Sequence, residues 1–168
     1  MPIELSIAWI IALNIGGWLV IQLGFAWAFT KMPANRFNPP NPFAWERAGR
    51  LYEIAFRIKA WKDRLPDAAR WVGGGFAKGT LAGTNRAYLE RFIRETWRGE
   101  LCHWAAIACT PLFFLWNPWW GDLVIVADAV TANLPCILAQ RYNRARFRRL
   151  LRALLHGRAR RGTGLGAA

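Results

Sequence analysis

Residues 5–29 run for 25 positions without a charged side chain, and nothing else in the chain restricts its fold as strongly. A helix crossing the roughly 30 Å hydrocarbon core of a bilayer needs about 20 apolar residues, and this run meets that length. Two further stretches come close: residues 104–121 carry no charge, and residues 123–140 carry only Asp128. With 54% hydrophobic residues and 11 tryptophans in 168 positions, the chain is too apolar for an ordinary soluble domain. It reads as an all-α integral membrane protein with three hydrophobic segments and a basic, partly amphipathic cytoplasmic helical region. The Ala-Trp-Ala at 26–28 imitates a signal-peptide cleavage site. Yet no basic residue precedes the run, and 25 residues exceed a signal core. A retained helix is the expectation.

The net charge of +13 is not spread evenly. All 23 Lys and Arg fall in two places, 14 in residues 31–98 and nine in residues 141–161. Basic residues flanking membrane segments stay on the cytoplasmic side. Three spans then place the N-terminus and the Asn-Pro-Trp-Trp turn near residue 118 outside, and both basic regions inside. The expected units are a first transmembrane helix at 1–30, a cytoplasmic and interfacial region at 31–100, a membrane helical hairpin at 101–140 and a basic tail at 141–168. The location this implies is the cell membrane, multi-pass. Basic segments so placed attract anionic lipid, which makes nucleic acid the weaker reading. Cys102, Cys109 and Cys136 have neither disulfide nor metal-ligand spacing. They read as small packing residues, and no metal is expected.

After the first span, prolines at 33, 39, 40 and 42 prevent continuous helix. A helix is expected over 46–65, where Leu51, Ile54, Ile58, Trp61 and Leu65 recur at helical spacing, flanked by Arg50, Arg57 and Arg64. That pattern describes a helix lying in the membrane interface. Residues 71–85, with three consecutive glycines and Lys78, lack a P-loop or dinucleotide fingerprint and read as a hinge.

Thr84 and Asn85 offer capping oxygens for a second helix that runs into the middle hydrophobic segment. On it, Glu90–Arg94 and Arg91–Glu95 are i,i+4 pairs and suggest a solvated ionic face holding Glu95. Glu100 and His103, one turn apart, fall instead on the apolar side. An ionisable group away from water needs a partner or shifts its pKa. Here a carboxylate could hold an imidazole acting as general base, or both could reach for headgroups. Asp128 sits inside the third run, either protonated, paired with Thr131 or facing a polar cavity. Asn133, Gln140 and Arg144 recur on one face of the same helix, which continues as a basic tail. Disorder is expected over residues 157–168.

Three blocks, "RIKAWKDRLPDAA", "RETWRGELCHW" and "NLPCILAQRYNRARF", resemble the glycosyl-4,4'-diaponeurosporenoate acyltransferase family of staphyloxanthin-type carotenoid biosynthesis. The resemblance runs over roughly residues 5–152. It implies a small membrane acyltransferase that esterifies a fatty acyl group, with acyl-CoA as co-substrate and no cofactor, onto a sugar hydroxyl. The acceptor is a glycosylated carotenoid or a similar polyprenoid glycolipid. The His-x4-Asp signature of glycerolipid acyltransferases is missing, since the fifth residue after His103 is Ala108. On this reading His103 is the base toward the sugar hydroxyl and Glu100 holds the imidazole. Asp63 and Asp67 are candidates for sugar hydroxyls, and Arg57, Lys59, Arg141 and Arg144 for CoA phosphates or the oxyanion. Asn143 is a candidate donor to the thioester carbonyl. Two alternatives stand beside it: a non-enzymatic lipid-binding or assembly subunit, and an acyl-enzyme route through Cys102.

Overall fold

The computed structural model describes residues 3–65 and 85–164, with side chains through residue 157. The 71–85 hinge apart from Asn85, the Pro66 helix stop and Asp67 lie outside the described residues, as do residues 165–168 of the tail. Every regular element described is helical: α1 (Ile7–Lys31), α2 (Arg50–Ala55), α3 (Arg86–Ala108) and α4 (Trp119–Gly164), with short 3₁₀ turns beside them.

The 25 residues of α1 reach about 37 Å at 1.5 Å per residue, and none of them is buried. Ile7, Trp9, Ile15, Val20 and Leu23 all face outward. Among the described residues, only α1 and α4 are long and apolar enough to cross a membrane. The run at 104–121, expected as a span in its own right, is not one helix. It comprises the last turn of α3, a 3₁₀ helix Thr110–Leu115 and the start of α4. Pro111 lacks an N–H and disfavours helix at the residue before it, so α3 stops at Ala108.

α3 and α4 pack antiparallel along most of their length, and α1 lies parallel to α4. The register is set by polar pairs at successive depths. At one end Asn14 and Asn117 exchange amide hydrogen bonds, and Trp116 Nε1 donates to Asn14 Oδ1 at 2.8 Å. Ile3 N also donates to Leu115 O. Midway, Gln22 meets Asn133. At the far end Arg98 donates to Met32 O. Beyond that level Leu89, Phe92 and Ile93 of α3 bury against Phe147 of α4, with the Phe92 and Phe147 rings 4.0 Å apart.

Asn85 caps α3 as expected, its side chain accepting from Tyr88 N. The ionic face does not follow the expected pairing. Glu90 pairs with Arg86, and Glu95 is 4% exposed and ion-paired with Arg98. The solvated setting expected for Glu95 is therefore corrected: its partner Arg98 donates in turn to Met32 O, at the end of α1.

The interfacial helix over 46–65 is corrected too. Arg47, Ala48 and Gly49 have positive φ, as does Arg57, so the segment breaks into α2 and three 3₁₀ turns. The breaks fold it onto α4, where Tyr52 and Ile58 are buried against Ala139 and Tyr142. Ile54, one of the expected apolar stripe, is 69% exposed. Gly49 permits the closest approach: at φ +94° a Cβ there would lie 3.1 Å from Ala145 Cβ. α4 itself runs without interruption past residue 140, and its backbone remains helical through Gly164, past the point where composition predicts disorder.

Candidate active site

Glu100 is fully buried. Its Oε1 accepts from Arg141 Nε at 2.6 Å and from Trp104 Nε1 at 3.3 Å, and its Oε2 accepts from Arg144 Nη2 at 2.5 Å. The guanidinium of Arg144 also lies 5.1 Å from the ring centroid of Trp97, a cation–π distance. A buried carboxylate tolerates its surroundings only when paired and hydrogen-bonded, and here two guanidinium groups do both. Glu100 thus joins α3 to α4. Glu100, expected to hold the imidazole, bonds to these two arginines and Trp104, and His103 Nδ1 meets an amide of α4.

His103 Nδ1 lies 2.8 Å from Asn133 Oδ1, and Asn133 is fully buried. Its Nδ2 donates to Ala129 O at 2.9 Å, and Gln22 Nε2 donates to its Oδ1 at 3.2 Å. A backbone carbonyl only accepts, so the amide orientation is determined: Nδ2 faces Ala129 and Oδ1 faces the imidazole. An acceptor opposite Nδ1 requires the proton on Nδ1 in the neutral ring. The lone pair then resides on Nε2, the tautomer a general base uses. His103 is half-buried, one turn further into the apolar run than Glu100.

The remaining expected residues separate into two groups. Arg141 and Arg144 join Glu100, and Asn143 is half-buried beside them in sequence. Two side-chain atoms here, Arg144 Nη1 and Gln140 Oε1, are buried without a hydrogen-bond partner. Lys59 and Asp63 instead line an open cleft of about 380 Å³ with Glu53, Lys62, Tyr142, Arg146 and Arg149. In it Lys59 pairs with Glu53 at 2.8 Å and Lys62 with Asp63. The Lys59 hydrogen bond is the main cause holding the Glu53 carboxyl below its ordinary value, and the same bond pushes Lys59 up. Behind the cleft, burial and the bond to Glu46 push Tyr52 well up. Arg57 is exposed at φ 46°. Asp128 faces outward, where Val124, Val126 and Val130 are also exposed, so it does not open onto a polar cavity. The three cysteines remain thiols, each half-buried.

Sequence reasoning places Asn133 on the face of Gln140 and Arg144 but does not join it to His103. Gln22 escapes it altogether. The available signal was an amide side chain alone in an apolar run, which in a membrane helix faces other protein.

The sequence model of the glycosyl-4,4'-diaponeurosporenoate acyltransferase family matches residues 33–153. Curated acyltransferases of that name from Staphylococcus aureus strains bovine RF122 / ET3-1, USA300 and MRSA252 are similar to this chain. Each is 31% identical over 141 residues, covering 82% of this chain and 85% of the relative. No solved structure gives a significant match. The matched residues contain both the Glu100 ion cluster and the His103–Asn133 pair, and the chain belongs to the glycosyl-4,4'-diaponeurosporenoate acyltransferase family of acyl-transferring enzymes.

Proposed function

We propose that the protein transfers a fatty acyl group from an acyl-CoA thioester to a sugar hydroxyl of a glycosylated carotenoid or a similar polyprenoid glycolipid. The observation that carries this reading is the bond from His103 Nδ1 to a buried, oriented amide, together with the family to which the chain belongs. His103 Nε2 takes the proton from the sugar hydroxyl as its oxygen attacks the thioester carbonyl. The tetrahedral oxyanion collapses, the carbon–sulfur bond breaks, and the imidazolium returns its proton to the leaving thiolate. Asn133 holds the ring throughout. Arg144, with one nitrogen on Glu100 and Nη1 not hydrogen-bonded, and Asn143 are the donors for the developing oxyanion. Arg57 and Lys59 lie on the phosphate side, in whose cleft Asp63 is ion-paired with Lys62.

Three crossings accommodate this chemistry, with the N-terminus outside. The last turns of α3 and the 3₁₀ helix that follows form the second crossing. Support comes from the charge distribution: Lys31, Arg98, Arg141 and Arg144 gather at the end of the bundle opposite Asn14 and Asn117. The acceptor's polyprenoid tail stays in lipid while its sugar meets His103 near headgroup depth, and a water-soluble polyanionic donor arrives from the basic side.

The test compares His103→Gln with the unaltered protein in membranes matched for protein level, using mass spectrometry of acylated and unacylated glycolipid. Loss of a general base lowers the rate about 10²–10⁴-fold. Transfer by His103→Gln within a fewfold of the unaltered rate overturns the assignment.

A further inference from the structure

The open cleft between the 50–64 segment and α4 has a composition that the acyl-transfer chemistry alone does not require. Four cations, Lys59, Lys62, Arg146 and Arg149, face two carboxylates, Glu53 and Asp63. Glu53 is shared between Lys59 at 2.8 Å and Arg149 at 3.6 Å, and Asp63 goes to Lys62. Arg146 is exposed and forms no ion pair within this set. The cleft therefore holds more positive charge than its own carboxylates balance, on a wall open to water. The neighbouring arginines add to that excess: Arg141 and Arg144 share the single carboxylate of Glu100, and Arg148 donates only to the neutral carbonyls of Pro39 and Pro40.

Position matters as much as charge. Tyr142 and Arg146 line the cleft from the same helix that carries Asn133, nine and 13 residues further on. At 1.5 Å per residue those separations are about 14 and 20 Å along the axis. An anion seated in the cleft would stand one extended arm's length from His103. A phosphopantetheine thioester has this shape, with a phosphate at one end, a flexible neutral arm, and the reactive carbonyl at the other.

We infer that the cleft lined by Lys59, Lys62, Arg146 and Arg149 binds the phosphate end of a phosphopantetheine thioester donor and so positions its acyl carbonyl at His103. The inference rests on the acyl-transfer reading above for the second half of that statement only. Anion binding in the cleft stands without it. Ammonium donors from one wall and guanidinium donors from the other suit a phosphate or diphosphate, and the carboxylates Glu53 and Asp63 keep the donors extended in its absence. Free acyl-CoA and an acylated carrier protein share the 4'-phosphate, so either source fits this chemistry.

The test uses the full chain in nanodiscs of phosphatidylcholine, which keeps anionic lipid from competing. Arg146→Gln and Lys62→Gln remove charge at side chains of the cleft wall, and a thermal melt checks that each variant folds. Anisotropy of fluorescently labelled CoA reads binding directly; each variant should bind about tenfold more weakly, the size of one charge-assisted contact. Turnover is read as the ratio of kcat/KM for acyl-CoA to that for the same acyl group on N-acetylcysteamine, which has the thioester but no phosphate. That ratio should fall about tenfold in each variant. Equal falls with acyl-CoA and acyl-phosphopantetheine place the contact on the shared 4'-phosphate. A larger fall with acyl-CoA places it on the nucleotide phosphates. If the unaltered protein does not bind labelled CoA, or if both ratio and anisotropy are unmoved by the variants, the cleft is not a phosphate site. If CoA binds and weakens as expected while no thioester supports transfer, the cleft stands and the acyl-transfer reading fails.

Discussion

Replacing Glu100 with glutamine separates a structural carboxylate from a chemical one. The side chain is 0% exposed and accepts from two guanidinium groups at 2.6 and 2.5 Å. Glutamine keeps the shape but offers one acceptor oxygen and turns an NH₂ toward a guanidinium that can only donate. Breaking a buried ion pair by removing one partner costs about 3–5 kcal/mol, because the surviving charge stays buried. The Arg141 side chain is 22% exposed and can turn to water, whereas Arg144 is 8% exposed and cannot. The lower end, about 3 kcal/mol, is therefore the expected loss. At about 2–4 °C per kcal/mol for a chain this size, the melting midpoint falls by roughly 6–12 °C. The three half-buried cysteines make a thiol-reactive fluorogenic dye a direct reporter of unfolding in detergent. Glu100→Met combined with Arg144→Met should recover much of the loss, since a buried ion pair exchanged for apolar side chains is often neutral. A Glu100→Gln protein that melts within about 2 °C of the original yet loses transfer as completely as His103→Gln refutes this structural role.

Asn133→Leu should lower kcat by about 10²-fold and displace the acidic limb of the kcat/KM profile, because the ring loses the acceptor opposite Nδ1; an unmoved profile with lowered protein abundance would mean that Asn133 only packs. Gly49→Ala forces a side chain into φ +94° with its Cβ 3.1 Å from Ala145, and it should cost more than about 1 kcal/mol, read by the same dye melt. The Glu53 carboxyl is held below its ordinary 4.5 by Lys59, so its contribution is present above that value and is lost as pH falls through the lower folded value. Lys59 is held above 10.5, so its share is present below 10.5 and disappears as pH rises past the raised value. Labelled-CoA binding should therefore change on acidification below about 4.5, and a Glu53→Gln protein should lack that inflection.

The length of residues 5–29 and the absence of Lys and Arg between residues 99 and 140 are properties of the chain itself. They depend on no contact, so a helix of membrane length and the gathering of basic residues into two segments are legible in the order of residues alone. The cap at Asn85 is legible for the same reason, since it joins groups three residues apart. Periodicity fails where it is read beyond its range. The stripe over 46–65 has helical spacing, but left-handed residues at 47–49 and 57 bend the segment onto α4, and the burial gained by Tyr52 and Ile58 outweighs local preference.

Glu100 and His103 show the same division at the site. Their spacing places both on the apolar face of one helix and marks them as costly there. Which partners balance that cost depends on residues 30 to 44 positions away, brought alongside by the α3–α4 hairpin. An imidazole one turn from a carboxylate invites a local pairing, but two guanidinium groups answer a buried carboxylate better than a neutral ring does. The amide of Asn133 is then the acceptor at the depth of His103. Sequence alone determined that these groups needed partners; the antiparallel packing decided which ones, because the charge of Glu100 and the Nδ1 of His103 are met by side chains of the facing helix.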